Sequence, residues 1–234
     1  CDTGHNVGGI TYITEQLKQQ TYRQLHIVIG MVNDKDIRGV LALLPREATY
    51  YFTKASVKRA LPESELQELA AAAGLKGHCY PDVPAAVRAV KEMGYEVGLH
   101  TGGSYPARLA EVLPDLSWVG LDVKAVPADG AHWAKVTGVE SAQDKWTESL
   151  GLLLASGVPF ECRTTAHPDY FSEAQLLETA AFLRARNVKD YALQICRKPP
   201  GLIARFGAVD PAWPSEPVLE KLRSGFERFT LRRD

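Results

Sequence analysis

Short apolar runs alternate along this chain with longer segments in which apolar residues recur every three or four positions. Six runs are short, rich in β-branched and aromatic residues, and bounded by polar or glycine-containing stretches. That pattern predicts buried strands over residues 24–32, 48–53, 95–100, 118–123, 160–165 and 191–196. Between them the spacing predicts helices over residues 9–19, 36–44, 62–73, 83–92, 107–112, 142–155 and 172–186. The helix ends carry local signals. Pro62 suits a first turn, and Glu63 and Glu65 stand where the helix dipole favours carboxylates. Gly74, Gly94 and Gly157 occupy stop positions, and Ser172 with Gln175 spells a capping box. Strands alternating with helices of this length predict an α/β fold of βα units on a parallel sheet. Periodicity alone does not separate an open sheet from a barrel. After Cys196 the pattern changes to a proline-rich loop through Pro199, Pro200, Pro211, Pro214 and Pro217, with a closing helix predicted over residues 218–228.

Composition narrows the classes. Of 234 residues, 45% are hydrophobic and 24% charged, too apolar for a disordered chain and enough for one large or two smaller cores. The 27 basic and 28 acidic side chains nearly cancel, so neither nucleic acid nor an anionic membrane surface is expected as a partner. No apolar run nears the roughly 20 residues that span a bilayer. With no leader pattern either, the expected location is cytoplasmic. Cys1, Cys79, Cys162 and Cys196 are widely spaced and form no Cys-x-x-Cys pair. They predict buried reduced thiols, with no metal site.

The chain opens on Cys1-Asp2-Thr3-Gly4-His5-Asn6 without a methionine, which reads as a start inside a motif. Ahead of a helix, such a segment belongs at the carboxyl end of a strand, where open α/β sheets bind ligands. A carboxylate there can hold a ribose hydroxyl or a metal-bound water, a histidine can meet a base or phosphate, and Gly4 permits close approach. Two further segments accompany it, Ile27-Val28-Ile29-Gly30-Met31-Val32-Asn33-Asp34-Lys35-Asp36 and Phe52-Thr53-Lys54-Ala55-Ser56-Val57-Lys58-Arg59-Ala60-Leu61. Together, over residues 1–92, they resemble the C-terminal domain of folylpolyglutamate synthase/dihydrofolate synthase in the Mur ligase family. The resemblance implies a Rossmann-like fold, ATP with magnesium as cofactor, contact of Asp2 and His5 with ATP, and a place near the site for Lys35 and Asp36. That family carries its P-loop, magnesium ligands and folate pocket in a preceding domain. No Gly-x-x-x-x-Gly-Lys-Ser/Thr occurs in this chain, so ligation by these residues alone is not expected.

Farther on, Val97-Gly98-Leu99-His100-Thr101-Gly102-Gly103-Ser104-Tyr105-Pro106 runs from a strand into a glycine-rich turn. Asp122, Lys124, Arg163 and Gln194 follow at later strand ends, where a barrel gathers its site residues. Residues 86–234 resemble the later part of the anaerobic ribonucleoside-triphosphate reductase activating protein, a radical SAM enzyme. The resemblance implies a partial TIM-type barrel in which Thr101, Gly102, Gly103, Asp122, Lys124 and Arg163 line an S-adenosylmethionine and [4Fe–4S] cavity. It also implies the reductase as partner. The cluster loop of that family belongs upstream, where ligase-like sequence stands here. Cys162 and Cys196 have no third cysteine at cluster spacing, so a cluster is not expected. Ligases of the first family also end a late strand in Gly-Ser that contacts glutamate, which makes Ser104 a substrate-binding candidate.

Plainer readings stand beside these. Asp122 and Lys124 also fit a strand-end carboxylate and a solvated lysine. Arg163, inside an apolar run, must be paired or reach a cavity, because an unpaired buried charge is costly. His100 fits a satisfied rim histidine, and His132, Trp133 and Trp146 fit loop and packing positions. The helix around Pro84–Gly94 suits both resemblances, which predicts a hybrid joined there, with segments 1–92 and 93–234. Such a hybrid would hold no complete active site and at most weakly bind a small adenosine-containing ligand. The rival readings are a radical SAM activating enzyme and a fragment of an ATP-dependent glutamate ligase.

Overall fold

The computed structural model describes residues 7–19, 21–54, 58–196 and 207–233. The chain divides into two compact units, Cys1–Val97 and Gly98–Asp234.

The first unit runs α1 (Val7–Lys18), β1 (His26–Ile29), α2 (Ile37–Leu43), β2 (Thr49–Phe52), α3 (Glu63–Ala72), β3 (Lys76–Cys79) and α4 (Val83–Glu92). Its sheet is parallel in the order β1-β2-β3. The period-two alternation of strand side chains assigns the faces. Ile27, Ile29, Tyr50, Phe52 and Cys79 join one core with Val40, Leu41, Leu66 and Ala70 from α2 and α3. Tyr51 joins the other, with Ala86 and Val90 of α4. Strand β3 escapes the hydrophobic pattern because Lys-Gly-His-Cys holds no β-branched residue and no apolar run. Its glycine is required: a Cβ at Gly77 would stand 2.0 Å from the Tyr50 carbonyl oxygen.

The second unit runs β4 (Gly98–Thr101), α5 (Pro106–Val112), β5 (Trp118–Asp122), α6 (Gly130–Thr137), α7 (Ala142–Ser156), β6 (Phe160–Ala166), α8 (Glu173–Arg184), β7 (Asp190–Ile195), α9 (Glu216–Arg223) and β8 (Arg228–Arg232). All five strands are parallel and lie in sequence order, β4-β5-β6-β7-β8. Right-handed crossovers that always step to the next strand put their helices on one face. The register agrees. Val119, Leu121, Cys162, Thr164, Tyr191 and Leu193 share one face and are buried. His100, Gly120, Asp122, Glu161, Arg163, Gln194 and Arg232 share the other, a mostly polar face. The sheet is open, with β4 and β8 as its edges, so the described strands close no barrel.

Two tail and loop expectations are corrected. The closing helix stops at Arg223 rather than Arg228, and residues 228–232 form β8. Gly225 interrupts the helical pattern, and Arg-Phe-Thr-Leu-Arg then alternates at period two, with Phe229 packing on Tyr191. His132 and Trp133 lie in a helix rather than a loop. Asp129 caps it by accepting the His132 backbone N–H at 2.9 Å, and Gly138 ends it at φ +72°. The capping box on α8 forms as its sequence spells it, with Ser172 and Gln175 bonded reciprocally.

Candidate functional site

Each unit offers a rim at the carboxyl ends of its strands. In the first, Gly30 passes so close to β2 that a Cβ would stand 2.7 Å from the Thr53 carbonyl oxygen. The chain beyond β1 is then tied to residues 59–61: Asn33 donates to the Arg59 carbonyl, Leu61 donates to the Met31 carbonyl, and Val32 bridges Ala60. The charged segment after this turn is largely committed to local structure. Asp34 pairs with Arg59 at 2.6 Å, and Asp36 caps α2 by accepting the Gly39 N–H at 2.9 Å. Lys54 pairs with Glu63 at 3.0 Å. The Glu63 carboxyl is held below its usual range first by the backbone N–H at the start of α3 and then by Lys54. Thr53 is buried, yet its hydroxyl has no hydrogen-bond partner. A buried hydroxyl of that kind marks either a small local cost or a place for a ligand atom. Asp2 and His5 lie outside the described residues.

In the second unit the rim is more tightly built. Arg163 donates to Asp122 Oδ1 from Nε at 2.9 Å and from Nη2 at 2.6 Å. Lys124 donates to Asp122 Oδ2 at 3.1 Å. The Asp122 and Arg163 side chains are only 13% and 12% exposed, whereas Lys124 is 46% exposed. One carboxylate therefore anchors two cations, one shielded and one open to solvent. The loop after β4 lies against this group. Gly103 donates its N–H to Thr101 Oγ1 at 3.1 Å. A Cβ at Gly102 would stand 3.1 Å from Lys124 Cε, so the lysine stem lies across a bare backbone. Thr101, Gly102, Gly103, Asp122, Lys124 and Arg163 thus share one corner of the rim, and Ser104 is exposed beside it.

Farther along the same polar face, Arg232 donates to Glu161 at 3.0 Å. His100 stands edge-on to Trp118, 5.1 Å between centroids, over the bare Cα of Gly120. Sequence reasoning missed Glu161 and Arg232. Period-two counting from Arg163 reaches Glu161, whereas Arg232 lies beyond the predicted closing helix.

A cleft of about 340 Å³ lies elsewhere in this unit, between the start of α6 and the loop before α8. Its polar lining is already engaged. His132 Nδ1 accepts the Val126 N–H at 3.1 Å, and its Nε2 faces the Tyr170 carbonyl at 2.7 Å. Asp129, Ser172 and Gln175 serve as helix caps.

The described cysteines, Cys79, Cys162 and Cys196, do not suit an iron–sulfur cluster. Cys162 is buried on the helix face, and burial, then Glu161, pushes its thiol far up. Burial also raises Cys196, and the Cys79 thiol donates to Gln67 and the Glu63 carbonyl, each at 3.2 Å. Among the described residues no three His, Cys, Asp or Glu side chains are grouped as a metal site needs. No described helix is long and apolar enough to cross a membrane.

A family profile described as Mur ligase, glutamate ligase domain, matches residues 1–102. The matched segment takes in the whole first unit and extends through β4 to Gly102. Among solved structures, the chain is similar to E. coli FolC in complex with DHPP and ADP, at 27% identity over 38% of this chain and 21% of that one, with a TM-score of 0.34. Bifunctional folylpolyglutamate synthase/dihydrofolate synthase from Yersinia pestis CO92 is similar at 27% identity over 38% of this chain. The match covers 20% of that protein in one structure and 21% in a ligand-free one, with TM-scores of 0.32 and 0.33. The chain therefore spans about a fifth of the length of these proteins. No curated protein matches it.

Proposed function

We propose that the first unit is the nucleotide-facing part of an ATP-dependent ligase of the glutamate-adding type. The observation that carries this reading is the match of residues 1–102 to the glutamate ligase domain profile. The E. coli protein at 27% identity was solved with ADP, which makes an adenine nucleotide the ligand to test. Bound ATP would supply the phosphoryl group that activates a carboxylate. This chain would supply the rim at the ends of β1 and β2, with the buried, unpartnered Thr53 hydroxyl just past β2 and Lys35 near it by the resemblance. Asp2 and His5 are candidates for nucleotide contact by the resemblance alone. With no P-loop sequence in the chain, these residues make half of a ligase site and bind nucleotide weakly.

A second reading concerns the other unit and rests on the Asp122–Lys124–Arg163 corner. A carboxylate, an exposed ammonium and a glycine loop at the carboxyl ends of consecutive parallel strands suit an amino-acid-bearing nucleoside such as S-adenosylmethionine. One-faced, consecutive winding also suits the partial barrel expected from the activating-enzyme resemblance. The described cysteines do not suit the cluster, so binding rather than radical chemistry is the activity proposed. On both readings together the chain is a hybrid holding half of two sites.

The test is a ¹⁵N–¹H correlation titration of the whole chain. Magnesium–ADP is expected to shift residues 30–36 and 53–54, and S-adenosylmethionine residues 101–104, 122 and 124. Absence of shifts to millimolar ADP, or ADP shifts confined to the second unit, would overturn the first reading. The same outcome with S-adenosylmethionine, in the mirrored places, would overturn the second.

A further inference from the structure

Helix α7 reaches the corner of the second unit from behind, at two points. The Trp146 indole N–H donates to the Asp122 carbonyl oxygen at 2.9 Å. One turn later, the Ser149 hydroxyl donates to the Gly103 carbonyl oxygen at 2.9 Å. Both side chains are fully buried. The spacing places them on one face of the helix, so a single rigid element grips two separate backbone segments. One carries Asp122, and the other is the glycine loop beneath the Lys124 stem.

The grip on the loop is also steric. Gly103 is left-handed at φ +68°, and a Cβ there would stand 3.1 Å from both Leu121 Cδ1 and Trp146 Cδ1. The Gly103 carbonyl is turned into the helix, while Gly103 N–H closes on Thr101. The helix end of the grip is anchored in turn, since Trp146 packs on Trp133 at 5.5 Å between ring centroids. A polar serine with no exposure is otherwise poor use of a core position, because an apolar residue of that size would avoid the cost of desolvating the hydroxyl.

We propose that Ser149 and Trp146 are positioning residues: through the Gly103 and Asp122 carbonyls they hold the glycine loop and the Asp122 carboxylate in one frame, without touching a ligand. This rests on the second reading above, that the corner binds an amino-acid-bearing nucleoside. Preorganised sites lose affinity when the supporting contacts go, even where the contacting groups remain.

The experiment compares the whole wild-type chain with Ser149→Ala, Trp146→Phe and Leu153→Ala, with S-adenosylmethionine as the probe. Leu153 is also buried on α7 but makes no rim hydrogen bond in the structure, so Leu153→Ala reports what loss of stability alone does. Ser149→Ala and Trp146→Phe are expected to weaken binding at least tenfold. Leu153→Ala, despite a larger fall in melting temperature, is expected to stay within threefold of wild type. Wild-type affinity in Ser149→Ala, or equal losses in all three variants, would overturn the proposal. Hydrogen exchange at Gly103 separates this outcome from failure of the ligand reading. If the wild type does not bind the probe, at least tenfold faster exchange in Ser149→Ala but not in Leu153→Ala keeps the framing role. Unchanged exchange removes it.

Discussion

Replacing Gly103 by alanine separates two costs that are usually confounded. The first is conformational: a left-handed backbone disfavours any Cβ, by about 1–2 kcal/mol. The second is local crowding, since the new methyl would meet Leu121 and Trp146 at 3.1 Å and Ser149 Cβ at 3.3 Å. Inserting a methyl group into a filled core typically costs about 1–3 kcal/mol. Gly103→Ala should therefore cost about 2–5 kcal/mol. Gly138 and Gly157 supply the controls, because their φ values of +72° and +73° match and a Cβ at either meets nothing within 4 Å. Alanine there should cost only the first part, about 1–2 kcal/mol. Urea unfolding followed by tryptophan fluorescence is the assay. All four tryptophans, Trp118, Trp133, Trp146 and Trp213, lie in the second unit, so the signal reports that unit alone. The midpoint should fall furthest for Gly103→Ala while the slope stays constant across the three variants. At roughly 4 °C per kcal/mol for a unit of this size, the same ranking should appear in melting temperature. If Gly103→Ala costs no more than the two controls, the wedge of Leu121, Trp146 and Ser149 does not constrain the loop, and the account of the corner's rigidity fails.

Other outcomes follow from single residues. Gly77→Ala would drive a methyl into the Tyr50 carbonyl and should abolish β2–β3 pairing, read as lost strand signal and lost amide protection in the first unit. Thr53→Val removes a buried hydroxyl that has no partner and should be neutral or stabilising by up to about 1 kcal/mol, measured by amide exchange in the same unit; a clear loss of stability would show that the hydroxyl has a role. At pH 8, iodoacetamide should leave Cys162 unmodified in the native chain while modifying it in urea, as read by peptide mass spectrometry. The same burial sets a pH dependence. Because the native Cys162 and Tyr191 groups are raised, their contribution is fully present below the unfolded values of about 8.5 and 10 and is lost as pH rises past them. These two groups add no slope up to about pH 8, and above it stability of the second unit should fall. Cys162→Ala should remove about 1.4 kcal/mol per pH unit of that slope.

Much of the architecture is legible in the pattern because burial imposes it. Each of the six apolar runs overlaps a strand, and the helix stops at Gly74, Gly94 and Gly157 coincide with left-handed glycines. The elements that escape the pattern do so for physical reasons. Strand β3 is a four-residue edge strand whose side chains are half-buried or exposed, so selection for apolar residues is weak. Strand β8 follows a proline-rich stretch and hides one apolar face between arginines. The candidate corner was legible at its strand ends, since Arg163 in an apolar run demanded a partner and Asp122 at the neighbouring strand end supplies one. The supports of that corner were not. Nothing in the spacing of Trp146 and Ser149 distinguishes a pair of rim anchors from ordinary helix packing until the register of β4 and β5 is known.

Strand β4 has two allegiances. By sequence, residues 98–102 complete the segment that matches the glutamate ligase domain, whereas by hydrogen bonding residues 98–101 form the outer strand of the second sheet, against β5. A gene divided at the end of the family match would therefore strip that sheet of its border and bare the backbone of Trp118–Asp122, inviting edge-to-edge aggregation. Division between Val97 and Gly98 would keep every ladder whole. Anyone separating the two units should cut by hydrogen bonds rather than at the limit of the family match.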